Sequence, residues 1–305
     1  MKALVTGCAG FIGSTLVDRL LADGYEVFGI DRFSDYYPRE IKERNLSSAI
    51  GHPQFTFIED DILQIEDYPL VDYVFHLAAQ AGVRASWGKS FEVYIRDNIQ
   101  ATQHLLECYK GTDIKKFVYS SSSSVYGDVE LPMREDSLPQ PVSPYGVTKL
   151  AAEHLCYLYW KNYGVPTISL RYFTVYGPRQ RPDMGINKFV RAVMNGEAIT
   201  VYGDGTQTRD FTYIDDVVEA NNLAAMSNLE GEVFNIGGGN RISVNDLIGA
   251  IEEVTGRVAT VRHVGEQKGD VKDTWADTRK AERLLGWHAR IGIVQGLARY
   301  IDWIQ

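Results

Sequence analysis

Basic charge, cysteine and long hydrophobic runs are all scarce in this chain. Its 305 residues carry 31 lysines and arginines against 40 aspartates and glutamates, a formal charge of -9. That balance argues against nucleic acid or an anionic membrane as the main partner, so any phosphate must be met locally. The three cysteines, Cys8, Cys108 and Cys156, are odd in number, far apart and not clustered with histidines. Neither a disulfide framework nor a metal site is expected, and a reducing, cytoplasmic setting fits. No stretch approaches the ~20 apolar residues of a membrane helix. The opening Met1-Lys-Ala-Leu-Val-Thr-Gly7 reads as a strand breaking into glycine, and no signal peptide is expected. Low-complexity segments and internal repeats are also missing.

What is present is an ordinary globular composition, 45% hydrophobic and 23% charged, arranged as alternating strands and helices. Residues 3–6 read as a strand buried on both faces. Residues 11–22 place Ile12, Leu16, Leu20 and Leu21 at helical spacing, and residues 25–31 form a second strand. Further strands are expected at 55–58, 73–77, 117–120 and 167–170, with helices at 95–109 and 143–163. Such alternation implies a doubly wound α/β fold with a parallel sheet. Beyond Arg171 the texture turns to Gly-, Pro- and Arg-rich loops and shorter helices near 244–254 and 278–285, which suggests a smaller second lobe.

The loop Gly7-x-x-Gly10-x-x-Gly13 joins the first strand to the first helix. Glycines there permit a tight turn and let the backbone approach a pyrophosphate at a helix N-terminus. Asp31 lies eighteen residues beyond Gly13, where a carboxylate would accept hydrogen bonds from an adenosine ribose and repel a 2′-phosphate. NAD is therefore favoured over NADP, with Arg32 alongside as the opposing feature. Farther on, Ser120 to Ser124 precede Tyr145-Gly-Val-Thr-Lys149. A phenol with a pKa near ~10 is a poor base. A lysine one turn along the same helix face can stabilise its phenolate, and a serine hydroxyl can hold the substrate hydroxyl being deprotonated.

These motifs, with Asp60-Asp61-Ile62, His76-Leu77-Ala78-Ala79, Val125-Tyr-Gly127, Leu170-Arg-Tyr172-Phe173, Thr208-Arg209-Asp-Phe211 and Asn235-Ile-Gly-Gly238, resemble an extended short-chain dehydrogenase/reductase of the nucleotide-sugar epimerase family. The resemblance runs from Met1 nearly to Gln305. It implies a Rossmann-type domain over 1–170 with a return segment near 211–236, and a nucleotide-sugar lobe over 171–210 and 237–305. It also implies a catalytic Ser122, Tyr145 and Lys149, with Ser123 and Ser124 near enough to share the serine's role. NAD would then be held by Gly7, Gly10, Phe11, Ile12 and Gly13. Asp31 would meet its ribose, Asp61 and Ile62 its adenine, and Leu77, Ala78, Ala79 and Tyr172 its nicotinamide end.

The same resemblance implies a UDP-sugar substrate, with Arg209 on the pyrophosphate, Asp270 on the uridine ribose, and Lys188 and Phe189 near the base. Arg84, Ser123, Thr174 and Arg181 complete the expected substrate contacts. Related 4,6-dehydratases carry an Asp-Glu pair after their catalytic Thr, where this chain has Ser123-Ser124. A 4-epimerase is expected on that ground. Thr174 and Gln267 depart from the UDP-glucose/UDP-galactose epimerase pattern, Asp35-Tyr-Tyr37 and the segment Val175 to Met184 with Arg179 and Arg181 resemble UDP-glucuronate 4-epimerases, and Arg181 could meet the substrate carboxylate. A UDP-glucose/UDP-galactose 4-epimerase is the alternative. A dehydratase, a decarboxylase or a non-catalytic dinucleotide sensor stand further off. Apolar residues on more than one face of the helices at 95–109 and 143–163 suggest a homodimer, and a fully buried helix explains the same pattern.

Overall fold

The structure, a computed structural model, describes residues 1–239, 241–265 and 271–305. Strands β1 (Lys2–Thr6), β2 (Glu26–Ile30), β3 (Phe55–Ile58), β4 (Tyr73–His76), β5 (Lys116–Ser122) and β6 (Thr167–Tyr172) follow the expected alternation. The β1 residues Ala3, Leu4 and Val5 are fully buried, which is why the strand reads as an unbroken apolar run. Helix α1 (Phe11–Ala22) packs Leu16, Val17, Leu20 and Leu21 against the sheet. Each such side chain contributes about 1.5–3 kcal/mol of burial.

The chain continues through β7 (Thr174–Tyr176), β8 (Ala198–Tyr202), β9 (Thr208–Tyr213), β10 (Glu232–Ile236), β11 (Arg241–Ser243) and β12 (Thr260–Val264). One sheet has the order β10-β6-β5-β4-β1-β2-β3, all parallel. The chain therefore starts mid-sheet, winds out to β3, and returns across β1 to build the other half. The reversal between β1 and β4 opens a crevice at the carboxyl ends of the strands, where such sheets bind ligands. The other strands form two small sheets, β11-β9-β7 and β12-β8.

The remaining helices are α2 (Arg39–Leu46), α3 (Phe91–Tyr94), α4 (Ala101–Tyr109), α5 (Pro144–Tyr163), α6 (Gly185–Asn195), α7 (Ile214–Met226), α8 (Val244–Thr255), α9 (Arg279–Leu285) and α10 (Ile293–Ile304). No helix among the described residues is long and apolar enough to cross a membrane.

Three elements depart from expectation, a helix and two paired strands, for visible reasons. The helix expected at 95–109 begins at Phe91, and its Ile95–Gln100 stretch is π-helical. In that widened turn the Asn98 side chain accepts from Gln80 N (2.7 Å) and donates to Gln80 O (3.1 Å) and Thr148 Oγ1 (2.9 Å). The bulge thus aims an amide at the loop after β4. Strands β5 and β6 run on two residues beyond expectation, pairing Ser121 with Arg171 and Ser122 with Tyr172. Their polarity suggested strand ends, but Glu153 of α5 satisfies it from within. Its carboxylate accepts from Ser121 Oγ (2.7 Å) and Arg171 Nε (3.0 Å) and pairs with Arg171 Nη2.

Candidate active site

The glycine turn is shaped by contact distances. Gly7 sits at a φ of +68°, and a Cβ on Gly13 would lie 2.1 Å from the Gly7 carbonyl oxygen, so no side chain fits there. The turn delivers the chain into α1 with Gly10 as N-cap, no capping side chain and no acid in the first turn. The uncapped N–H groups and the positive end of the helix dipole face a cavity of about 410 Å³, an arrangement suited to a diphosphate.

Asp31 stands just past β2 and bridges two loops, its carboxylate accepting from Ala9 N (3.1 Å) and Phe33 N (2.9 Å). Burial pushes its carboxyl up from the ordinary aspartate value, opposed by the Phe33 N–H and the Lys42 charge. The neighbouring Arg32 is committed elsewhere, to Asp61 (2.8 Å) and Asp97 (2.5 Å), and Arg96 reaches the same two carboxylates at 2.6 and 2.8 Å. A guanidinium so engaged is not presented to a 2′-phosphate. Asp61 also receives Leu63 N (3.0 Å), which fixes the turn carrying Ile62.

The reacting end is built where α5 meets the end of β5. Ser143 caps α5 by accepting from Gly146 N (3.1 Å), and Pro144 supplies a ready φ at the first turn. A Cβ on Gly146 would lie 2.3 Å from the Ser124 carbonyl oxygen. The helix can therefore abut the Ser123–Val125 turn, which brings Tyr145 to Ser122. Ser122 hydrogen-bonds the Tyr145 phenol, while its Oγ accepts from Ser124 N (3.1 Å). Tyr94 packs edge-on to the Tyr145 ring, with centroids 6.2 Å apart.

The electrostatics at this point differ from the sequence expectation. Burial raises the Tyr145 phenol above its ordinary value, and the groups that pull it back are the Ser122 hydroxyl and the positive charge of Arg181. Lys149 donates instead to the Ser120 carbonyl (2.6 Å) and lies 4.7 Å from the Tyr119 ring centroid. Its own ammonium is lowered to about 7 by burial. Burial thus weakens Lys149 as a cation, and Arg181 adds its positive charge at the phenol.

Beneath the site, a polar chain has one consistent direction. Ala78 N–H donates to Thr6 Oγ1 (3.2 Å), and Thr6 gives its own proton to His76 Nδ1 (2.8 Å), because the neutral ring carries its proton on Nε2. On the other side Thr102 donates to Asn98 O (2.7 Å) and therefore receives His76 Nε2–H (3.0 Å). His76 is neutral, lowered to about 3 by burial with Lys149 adding to the effect. This holds the loop at Ala78 and Ala79 without placing charge under it.

The cavity at the glycine turn gathers Phe11, Ile12, Ile62, Leu77, Ala78 and Ala79 with Asp31 and Asp61, and at its other end Ser122, Ser123, Tyr145, Lys149, Tyr172 and Arg181. Tyr172 is oriented by hydrogen bonds to Ser120 Oγ (3.2 Å) and Asn221 Oδ1 (2.9 Å). Thr174 is shared with a second cavity of about 1050 Å³, which Arg84, Lys188, Phe189 and Arg209 line. There Arg84 sits over the Tyr202 ring at 4.4 Å, and Arg209 Nη1 donates to Thr208 O and Lys272 O, both at 2.8 Å. Lys188 is exposed at the first turn of α6. Asp270 and Gln267 lie outside the described residues.

Several partners were not legible in the sequence: Asp97 and Arg96 around Arg32, Glu153 under Arg171, and Asp183 beside Arg181. Only the last had a local signal, the Arg181-Pro-Asp183 spacing. The loop with Arg179 and Arg181 is also no solvated basic stretch, because Arg179 pairs with Asp18 (2.6 Å) and Arg181 with Asp183 (2.9 Å).

A doubly wound sheet with a glycine-turn anion site, an acid after β2 and a Ser–Tyr–Lys group at the switch point defines a dinucleotide-dependent enzyme that oxidises and reduces a hydroxyl-bearing carbon. The chain belongs to the NAD dependent epimerase/dehydratase family, which it matches over residues 3–237, and its cofactor is NAD. It is 43% identical to a Bacillus subtilis protein named as an uncharacterized UDP-glucose epimerase, over all of this chain and 98% of that one. It is 42% identical to a UDP-glucuronate 4-epimerase of Thermodesulfobacterium geofontis, covering 98% of this chain and 95% of the relative. The crystal structure of the Bacillus cereus UDP-glucuronic acid 4-epimerase with UDP-glucuronic acid and NAD superposes with a TM-score of 0.96 at 46% identity, over 100% of this chain and 99% of that one.

Proposed function

We propose that this enzyme interconverts UDP-glucuronate and UDP-galacturonate by epimerisation at C4 through a transient 4-keto sugar. The observation that carries the reading is the placement of Arg181. It lines the same cavity as Ser122 and Tyr145, so a cation stands at the reacting end of the sugar, where a C5 carboxylate needs one. Kinship with a UDP-glucuronate 4-epimerase at 42% identity supports the same choice.

Bound NAD supplies a reversible hydride acceptor for C4. The protein's part is the proton and the pose. Tyr145, as phenolate, takes the C4 hydroxyl proton while Ser122 holds that oxygen, and it returns the proton once the 4-keto sugar has presented its other face. Since burial alone disfavours the phenolate, the cations Arg181 and Lys149 and the Ser122 donor must carry its stabilisation. In the second cavity Arg209 and Arg84 would hold the diphosphate about which the sugar turns, with Lys188 and Phe189 toward the base. Thr174 and Ser123 would line the sugar. The 4-keto uronate is a β-keto acid, and Arg181 would keep its carboxylate bond from aligning with the carbonyl π system, so that CO2 is retained.

We read residues 1–170 with the return segment near 211–236 as the cofactor-binding domain, and 171–210 with 237–305 as the nucleotide-sugar lobe. Ile95, Val147 and Leu158, 37%, 46% and 48% exposed on neighbouring helices, support a homodimer through that face. Light scattering is expected to give twice the 34.3 kDa chain mass, and a monomeric wild type would exclude it. The free thiols fit a cytoplasmic setting, which cell fractionation would check.

The test is proton NMR of the protein incubated separately with UDP-glucuronate and UDP-glucose. New anomeric signals from UDP-galacturonate alone are expected, and UDP-galactose alone would overturn the uronate reading. A companion variant, Arg181→Ala, is expected to weaken use of UDP-glucuronate while sparing UDP binding, and an equal loss for both would remove Arg181 from its role.

A further inference from the structure

Two loops cross at the junction of the two cavities, and each holds a non-glycine residue in the left-handed region: Phe33 at φ 49° and Arg179 at φ 67°. Among the described residues these are the only two. Backbone strain of this kind persists where surrounding contacts enforce it. Both loops have such contacts. Phe33 N is held by Asp31 (2.9 Å). Arg179 is tied to Asp18 on α1 (2.6 Å), and Gln180 Nε2 donates to Val175 O (3.0 Å). The second loop is thereby anchored on the helix that begins at the glycine turn.

Past these anchors the loops meet through three side chains. Arg181 Nε and Nη2 donate to the two Asp183 oxygens at 2.9 and 3.1 Å, a two-point contact along one edge of the guanidinium. Tyr36 OH donates to Asp183 Oδ2 (3.2 Å) from the cofactor-side loop, and the Arg181 guanidinium lies 5.8 Å from the Tyr36 ring centroid. Asp183 lines the sugar-side cavity, Arg181 lines the reacting cavity with Tyr145, and Tyr36 lines both. A guanidinium has five donors in a rigid plane, so engaging one edge fixes the direction of the rest.

We propose that Asp183 and Tyr36 are positioning residues that clamp one edge of Arg181, so that its remaining donors face the acid group of the sugar. The inference rests on the uronate reading. It makes a directional claim, because Asp183 is also an anion beside the place an anionic sugar would occupy. If repulsion outweighed orientation, removing its charge would tighten substrate binding. The two-point geometry and the Tyr36 support favour orientation, since the pair is only partly exposed and Asp183 is already neutralised by Arg181.

The experiment measures kcat, KM, UDP affinity and CO2 release with UDP-glucuronate for wild type, Asp183→Asn, Asp183→Ala and Tyr36→Phe. CO2 release reports orientation: the C5–C6 bond breaks, its electron pair enters the C4–C5 enolate of the 4-keto sugar, C6 leaves as CO2, and a solvent proton returns to C5. Asp183→Ala is expected to raise KM by roughly tenfold and to release CO2 measurably, with UDP affinity unchanged. Asparagine keeps one acceptor for the guanidinium and should fall between alanine and wild type, and Tyr36→Phe should shift the same readouts by about twofold. An unchanged or lowered KM without CO2 release, or a parallel loss of UDP affinity, would overturn the clamp. A wild type that is itself inert toward UDP-glucuronate would instead overturn the uronate reading, and the clamp with it.

Discussion

The two cavities of this enzyme are made by different means. Around the cofactor the decisive atoms are backbone: glycines packed carbonyl against Cα, an uncapped helix start, and an Asp31 carboxylate that receives two main-chain N–H groups. Around the sugar the decisive atoms are side chains on loops, and the cation Arg181 is oriented by an acid, Asp183. A backbone site is fixed wherever its turn folds. A side-chain site can be re-aimed by one substitution, which suits a family that keeps one cofactor and changes its sugars.

This contrast can be broken from below. Arg171 and Glu153 form a buried pair at the ends of β5 and β6, bonded to Ser121 in the lining of the cofactor cavity. Arg171→Met strands a buried carboxylate and is expected to cost about 3–5 kcal/mol of stability, read by denaturant titration. A loss under about 1 kcal/mol would show that the pair does not support the floor of the site.

The next test stays within the backbone-built half. Gly13→Ala pushes a Cβ against the Gly7 carbonyl, at 2.1 Å before relaxation. A strain of about 1–3 kcal/mol should weaken NAD retention by roughly 10–100-fold, measured as dinucleotide released on denaturation. Full retention would mean that the turn can yield.

Lys149 offers a test by pH. Burial lowers its ammonium to about 7 from 10.5. Between those values the unfolded chain holds the extra proton, so this group makes stability rise with pH across that window. Lys149→Met removes the effect along with catalysis. In cofactor-stripped protein, the melting temperature of the variant relative to wild type should be highest near pH 6 and fall by several degrees toward pH 10. A constant difference would contradict the buried-cation account.

The smallest effect sharpens the comparison most. Arg32→Ala touches a side chain in the cofactor half whose guanidinium is engaged by Asp61 and Asp97. It should change NAD affinity by only about twofold and should not confer use of NADP, since Asp31 remains. A switch toward NADP would show that Arg32, rather than Asp31, sets the preference.

The same division explains what was legible in the sequence. Glycine spacing, the acid after β2 and the Tyr145–Lys149 interval are local patterns tied to backbone geometry. The parallel sheet followed from strand–helix alternation, with α1 and β3 ending where the pattern ends. The ends of β5 and β6 were hidden because Ser121 and Arg171 look like solvent-facing residues until Glu153, distant in sequence, arrives from α5. The π-helical turn at Asn98 was equally invisible, since its reason is a contact with Gln80 across a loop. Lys149 was legible as a candidate site residue, but not its desolvation, which depends on what the whole fold buries around it.

In the proposed mechanism Tyr145 moves only the hydroxyl proton, while the hydrogen on C4 never meets solvent. Its most direct test is to run the wild-type enzyme with UDP-glucuronate in D2O and examine the product by NMR. UDP-galacturonate carrying ordinary hydrogen at C4 is the predicted result. Deuterium at C4 would mean that this carbon exchanges with solvent during inversion, and would contradict return of the same hydride.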